Sequence, residues 1–462
     1  MPDIVSPIDG QTAFQYERLG LEDARSRVEA AAVAQTSWRS TPISDRIALC
    51  RRMLHAYEAR EDEYALQITR MMGKPLAHAL GEFRGPMRER TGHLCEIAEE
   101  ALADQTPEEK HGLTRFVRRD PVGVVFDIAA WNYPLIIAIN VIVPAVLAGN
   151  AVVIKHAHQT ALVAEQLAQA FADAGAPSGL VCAMPVDHAV AASLMSERLF
   201  GYVSFTGSVR GGHEVYRAVA ANDFIGCGLE LGGKDGALVL PDCELASTVE
   251  NLVDAAFFNA GQSCCGIERI YVHADIHDRF VEAYVTLARN YVVGNPLEET
   301  TTMGPMVRAD AVAHVRGQVG QATSNGAQLI VGDADFEVPD ASSCYLAPQV
   351  LTDVDHSMAL MTEETFGPAI GIMKVGSEDE GVALMNDSHY GLTGSVWTQD
   401  DARAMALAER IQAGTVFQNR CDYLDPGLAW TGVKDSGHGT SLSRLGFLSV
   451  TRPKSYHLRR AT

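Results

Sequence analysis

The chain predicts an α/β fold of parallel, doubly wound sheets, and three observations carry that prediction. From Val122 onward, short β-rich runs alternate with helical stretches, so neighbouring strands need helical crossovers and lie parallel. The strand Gly201-Tyr202-Val203-Ser204-Phe205 runs into a small-residue turn, Thr206-Gly207-Ser208-Val209-Arg210-Gly211-Gly212, the order strand, turn, helix. At 462 residues the chain is too long for one ordinary core, so two or three domains are expected.

In chain order, residues 4–18 read as a hairpin turning at Asp9-Gly10. Residues 21–103 are helical in pattern, with apolar faces at Ala30-Ala31-Ala32, Ile47-Ala48-Leu49 and Tyr64-Ala65-Leu66-Gln67-Ile68. Ser44-Asp45-Arg46 is expected to start the helix that holds Ile47. The polar residues 104–112 read as a surface link, and Thr114-Arg115-Phe116-Val117-Arg118-Arg119 as an exposed strand ended by Asp120-Pro121. The apolar tract 134–154 is as long as a membrane span, but Pro134, Asn140, Pro144, Gly149 and Asn150 interrupt it. It reads as a buried helix, a turn and the buried strand Ala151-Val152-Val153-Ile154-Lys155. Residues 160–174 form an amphipathic helix, and the alternation continues past residue 264 with Ile270-Tyr271-Val272, a helix over 278–287 and Ala327-Gln328-Leu329-Ile330-Val331.

With 47% hydrophobic and 21% charged residues the composition is that of a globular enzyme, and the net charge of −21 disfavours nucleic acid and anionic membrane as partners. Nine scattered cysteines outline no disulfide framework, and the opening Met1-Pro2-Asp3-Ile4-Val5 has neither a basic region nor an apolar core. A reducing cytoplasm is therefore the expected setting. No Cys or His group has metal-ligand spacing, so no metal is expected.

Two stretches carry chemistry. Phe257-Phe258-Asn259-Ala260-Gly261-Gln262-Ser263-Cys264-Cys265 leads an apolar run into a turn that presents a thiol, a strong nucleophile as its thiolate. Upstream, Gly228-Leu229-Glu230-Leu231-Gly232-Gly233-Lys234 ends an apolar run in a carboxylate, a group able to serve as a general base. Together, Gly261-Gln262-Ser263-Cys264 and Glu230-Leu231-Gly232-Gly233-Lys234 resemble the two signatures of the aldehyde dehydrogenase superfamily, in the right order. Trp131-Asn132-Tyr133-Pro134, Glu363-Glu364-Thr365-Phe366-Gly367-Pro368, Asn386-Asp387 with Tyr390-Gly391-Leu392, and Trp430-Thr431-Gly432-Val433-Lys434-Asp435-Ser436-Gly437 extend the resemblance over essentially the whole chain.

The resemblance implies an aldehyde-dehydrogenase-like fold. It comprises a Rossmann-like dinucleotide-binding domain (1–103 and 122–232), a doubly wound catalytic domain (233–447) and a small β oligomerisation arm (104–121 and 448–462). It implies a homodimer or homotetramer and oxidation of a small-molecule aldehyde to the acid with NAD or NADP. Cys264 is then the nucleophile that forms a thiohemiacetal and a thioester, Glu230 the base for hydrolysis, and Asn132 with the Cys264 backbone N–H the oxyanion donors. Lys155, Gly207, Ser208, Glu364 and Phe366 match cofactor positions, with Trp131 and Leu231 beside them. Three places after Lys155, where NAD-preferring members carry a glutamate, this chain has His158, which is compatible with NADP. The family's second Gly-rich segment is replaced by Cys182-Ala183-Met184-Pro185-Val186-Asp187-His188.

The aldehyde tunnel implied by the resemblance is lined by Tyr133, Ile137, Asn140, Cys265 and the loop with Arg420, Asp422 and Leu424. Asn140 stands where many members place a bulky aromatic, which favours a polar aldehyde such as a hydroxy-aldehyde or semialdehyde. Two alternative functions are a coenzyme A-acylating enzyme, disfavoured by the presence of Glu230, and a catalytically silent crystallin-like or scaffolding relative, disfavoured by the presence of both thiol and base.

Overall fold

The computed structural model describes residues 1–459, so the last three residues of the expected arm segment lie outside the described residues. Two mixed sheets organise the chain. In the first, the strands run Gly437–His438, Gly226–Glu230, Tyr202–Thr206, Val124–Ala129, Ala151–His156, Val181–Ala183. The second runs Gln328–Val331, Gln349–Thr352, Ala369–Val375, Ile267–His273, Asp235–Val239, Thr393–Trp397, Thr415–Gln418. The expected parallel pairing holds inside both sheets and fails at one edge of each, where Gly437–His438 and Gln328–Val331 pair antiparallel. An edge strand has one neighbour, so a returning segment can join it without a crossover helix.

The interior strands are continuously buried, as Val124–Ala129 and Ala151–His156 are over their full lengths. The tract 134–154 resolves into the buried helix Pro134–Ala148, a left-handed cap at Gly149 (φ 93°) and the strand Ala151–His156. Among the described residues no helix is long and apolar enough to cross a membrane. The hairpin is present as Asp3–Val5 against Thr12–Gln15. The helix expected to open after Ser44-Asp45-Arg46 instead spans Ile43–Glu58. Pro42, with its φ of −55° and no N–H, sets the boundary, and Asp45 falls in the first turn, where an acid suits the helix dipole.

The strand Thr451–Arg459 pairs antiparallel with Leu113–Pro121, from Thr451 opposite Pro121 to Arg459 opposite Leu113. Phe116 and Tyr456 stack across this ribbon at 4.4 Å between ring centres, and the Arg118 guanidinium lies over both rings. In the first sheet, successive connections leave Val124–Ala129 in opposite directions, so a crevice opens between its carboxyl end and that of Tyr202–Thr206.

Candidate active site

The thiol-bearing turn follows the helix Leu245–Phe257, which buries Val249, Leu252, Val253, Ala256 and Phe257. Asn259, Ala260 and Gly261 then take φ values of 53°, 54° and 67° in succession. Asparagine and glycine accept this region, while Ala260 is strained there and must be held by its surroundings. The Asn259 amide donates to the carbonyls of Asn132 (3.1 Å) and Gln262 (3.2 Å). Gln262 donates to the Asn259 carbonyl (2.9 Å) and accepts from the Val307 N–H (2.8 Å). A Cβ on Gly261 would run into the Gly367 carbonyl, so only glycine closes the turn. Below it, the half-buried Asp422 carboxylate accepts from Ser263 Oγ (2.9 Å) and Cys265 Sγ (3.0 Å).

These contacts distinguish the two thiols. Cys264 is partly exposed, at the turn's surface. Cys265 is buried, and the adjacent Cys264 thiol, burial and the Asp422 charge together hold its pKa well above the ordinary thiol range, which keeps it protonated.

The upstream motif is explained residue by residue. Glu230 ends the strand Gly226–Glu230, which the returning strand Gly437–His438 pairs and fixes. Ser441 Oγ donates to Glu230 Oε1. Burial raises the Glu230 pKa above the ordinary carboxylate range, opposed by the Ser441 bond and the Arg90 charge. A Cβ on Gly232 would meet the Glu364 carboxylate, and one on Gly233 the Cys264 carbonyl. Lys234 is buried in an ion pair with Glu268 (2.6 Å), and Glu268 also accepts the N–H groups of Thr365 (2.8 Å) and Phe366 (2.9 Å). That carboxylate holds the turn carrying Glu364 and Phe366, with Phe366 at a φ of 47°.

Asn132 is buried at the crevice, and its Nδ2 donates to the Gln262 carbonyl at 3.2 Å. One amide hydrogen is thereby used to fix the side chain and the second remains available. Glu82 holds the helix that follows: Oε1 accepts the N–H groups of Leu135 (2.8 Å) and Ile136 (3.2 Å), and Oε2 pairs with the buried Lys74 (2.6 Å).

Two cavities meet at Thr206, Glu230 and Cys264. The first, of about 330 Å³, is walled by Trp131, Asn132, Gly207, Ser208, Leu231, Glu364 and Phe366. Here Ser208 caps the helix Val209–Ala220 by accepting the Gly211 N–H (3.2 Å), and Trp131 meets Phe366 edge to face at 5.6 Å. Glu364 Oε1 accepts the Gly233 N–H (3.0 Å), and burial with the Glu268 charge pushes its pKa up to about 7. Free amides at a helix start, an edge-on aromatic pair and a carboxyl with one oxygen uncommitted fit a nicotinamide dinucleotide.

Lys155 and His158 lie outside that cavity, at the carboxyl end of Ala151–His156. There Tyr16 Oη lies 2.8 Å from His158 Nδ1 and accepts from Arg18 Nε at 3.4 Å. Burial and the Arg18 charge bring Lys155 down to about 8.

The second cavity, of about 620 Å³, is walled by Tyr133, Ile137, Asn140, Cys265, Asp422 and Leu424. Arg420 is not among the residues that wall it: it is exposed, with its guanidinium over the ring of the cavity residue Tyr423 (3.5 Å to the ring centre), in a loop with positive φ at Asn419 (52°) and Asp422 (47°). The sequence reading missed Arg90, His78, Asp254, Phe258 and Trp430, which also line this cavity. The Trp430 motif carries the family resemblance but gives no sign of its place in the pocket. The others sit in helices or turns whose pattern does not reveal which face is enclosed.

The family model described as "Aldehyde dehydrogenase family" matches residues 2–456. An aldehyde dehydrogenase of Paenarthrobacter nicotinovorans is 34% identical over 98% of both chains. A succinate semialdehyde dehydrogenase [NAD(P)+] of Escherichia coli is 32% identical over 96% of this chain and 94% of its own. The structure of an NADP-dependent glyceraldehyde-3-phosphate dehydrogenase from Bacillus halodurans, complexed with NADP, superposes with a TM-score of 0.93 at 30% identity, covering 100% of this chain and 96% of the other.

Proposed function

The protein belongs to the aldehyde dehydrogenase family, and from that premise we propose that it oxidises a polar aldehyde to the free carboxylic acid, with Cys264 as nucleophile and Glu230 as hydrolytic base. One observation supports this above the others: Cys264 and Glu230 both line the place where the cavity walled by Ser208, Glu364 and Phe366 meets a largely apolar one. A nicotinamide held beside Glu364 and Phe366 would supply the hydride acceptor.

Once its proton has left to solvent, Cys264 Sγ adds as the thiolate to the aldehyde carbon, and the carbonyl oxygen becomes an oxyanion. The free hydrogen of Asn132 Nδ2 and the Cys264 N–H donate hydrogen bonds that stabilise it. Departure of the carbon-bound hydrogen as hydride, with its electron pair, re-forms the carbonyl and leaves a thioester on Cys264. Glu230 then takes a proton from water as the oxygen attacks the thioester, and the Cys264 thiolate leaves with the acid released. A carboxylate held by Ser441 in the shared wall favours water over coenzyme A as the acyl acceptor.

The same reading takes segments 1–103 and 122–232 as the dinucleotide-binding domain and 233–447 as the catalytic domain, with Gly437–His438 crossing back to the first sheet. The ribbon of 104–121 with the chain's end serves as an oligomerisation arm, and the nine unpaired cysteines suit a reducing cytoplasm.

The test is the absorbance of reduced nicotinamide across a panel of aldehydes, with and without coenzyme A, in wild type, Cys264→Ala and Cys265→Ala. Turnover independent of coenzyme A and abolished only by Cys264→Ala, with dinucleotide binding retained, is expected. Activity surviving in Cys264→Ala, or lost in Cys265→Ala instead, moves the nucleophile elsewhere.

A further inference from the structure

Arg90 sits on the helix Arg88–Ala101 and is only 3% exposed. A π-helical turn at Phe83–Met87, with Pro86 inside it, precedes that helix and sets which of its faces meets the cavity. The guanidinium makes a single side-chain bond, Nη1 to Asn140 Oδ1 at 3.1 Å, and its buried Nε has no partner. Both residues line the larger cavity together with Cys264.

A buried guanidinium normally has a carboxylate across its fork, because an unpaired charge out of water is costly. Here the carboxyls around the cavity are engaged elsewhere. Lys74 holds Glu82, Tyr423 Oη donates to Glu89 (2.7 Å), Ser441 donates to Glu230, and Ser263 with Cys265 holds Asp422. Asp254, the remaining one, is pushed up to about 6 by burial and by the Asp422 charge. Among the described residues none of these forms an ion pair with Arg90. Burial lowers the Arg90 pKa, and the surrounding Cys265, Glu230, Glu82 and Glu89 offset this only in part.

We infer that Arg90, steadied by Asn140, is the receptor for a terminal carboxylate on the substrate, so that the preferred aldehydes carry a carboxylate at the end opposite the carbonyl. The fork of Arg90 accepts a carboxylate in two parallel hydrogen bonds. A phosphate dianion is the poorer match, since this wall offers one cation and several acids nearby. The inference rests on the proposed oxidation for its choice of site, but its binding test does not need turnover.

Calorimetry on the wild-type protein compares adipate with hexanoate, an acid with and without the second carboxylate. Adipate is expected to bind at least about tenfold more tightly, and equal affinities overturn the inference. Kinetics then compare kcat/KM for 4-oxobutanoate with butanal, for 6-oxohexanoate with hexanal, and for glyceraldehyde 3-phosphate, in wild type, Arg90→Gln and Arg90→Lys. The ratio of carboxylated to plain aldehyde is expected to fall about tenfold to a hundredfold in Arg90→Gln, chiefly through KM, and to recover in part in Arg90→Lys. Equal losses for both aldehydes with a displaced acid limb of the pH profile would make Arg90 a partner of Glu230 instead. A preference for the phosphorylated aldehyde would overturn the carboxylate assignment.

Discussion

Replacing Glu230 by glutamine separates the two halves of the proposed reaction. The variant keeps the shape of the wall: Ser441 Oγ donates as well to an amide oxygen, and the pairing of Glu230 with Gly437 is made by backbone. Only the proton acceptor is removed. A positioned general base contributes roughly 10²–10⁴ in rate, about 3–5 kcal/mol of barrier. The expected record after rapid mixing is a burst of reduced nicotinamide near one equivalent per site, then a steady rate lower by that factor, with acid release slowed equally. Stability should not suffer at neutral pH. Burial raises the folded-state pKa of Glu230, so its ionised form is disfavoured in the native protein above the unfolded pKa, and a neutral amide relieves that cost. In wild type the same shift places the acid limb of hydrolysis above the ordinary carboxylate range, and the limb should vanish in the variant. An unchanged steady rate without a burst would refute the role, as would loss of the burst itself, which would put Glu230 before thioester formation.

Two other outcomes are expected. Arg18, Tyr16 and His158 form a chain of contacts beside Lys155, where the Arg18 charge outweighs that of Asp187. NADP should therefore be preferred over NAD, and His158→Glu should lower the ratio of their kcat/KM values about tenfold or more; an unchanged ratio would show that this cluster does not read the 2′-phosphate. Sedimentation at micromolar concentration should show dimers or tetramers, since the ribbon leaves strand edges unpaired; monomers alone would remove its assembly role.

What was legible in the sequence had local causes. The glycines after Glu230 and the glycine before Gln262 mark close backbone approaches, and such approaches leave a residue-type signature wherever they occur. Buried strands likewise announce themselves by unbroken apolar runs. Arg90 left no such trace. It stands in Arg88-Glu89-Arg90-Thr91, a charged run that resembles a solvated face. Only the π turn and the packing of helices against Pro134–Ala148 enclose one of its arginines. Arg420 is the converse case: Asp422, Tyr423 and Leu424 line the cavity while Arg420, a few residues before them, stays exposed over the Tyr423 ring. Glu82 and Glu268 were illegible because each meets partners far along the chain, at Leu135 and Thr365.

The last stretch of chain joins tasks that are usually kept apart. Gly437–His438 completes the edge of the first sheet beside Glu230, Ser441 grips the carboxyl three residues later, the helix Ser443–Ser449 follows, and Thr451–Arg459 leaves as the ribbon. The hydroxyl that holds Glu230 is thus tethered through one short helix to a strand lying at the surface. On the proposed mechanism, a shift of that strand would reach the hydrolytic step through this short covalent route, while Cys264 and its turn are anchored independently through Asn259, Gln262 and Asp422. Wear at this end of the molecule would therefore show itself as acyl-enzyme that forms at its normal pace and lingers.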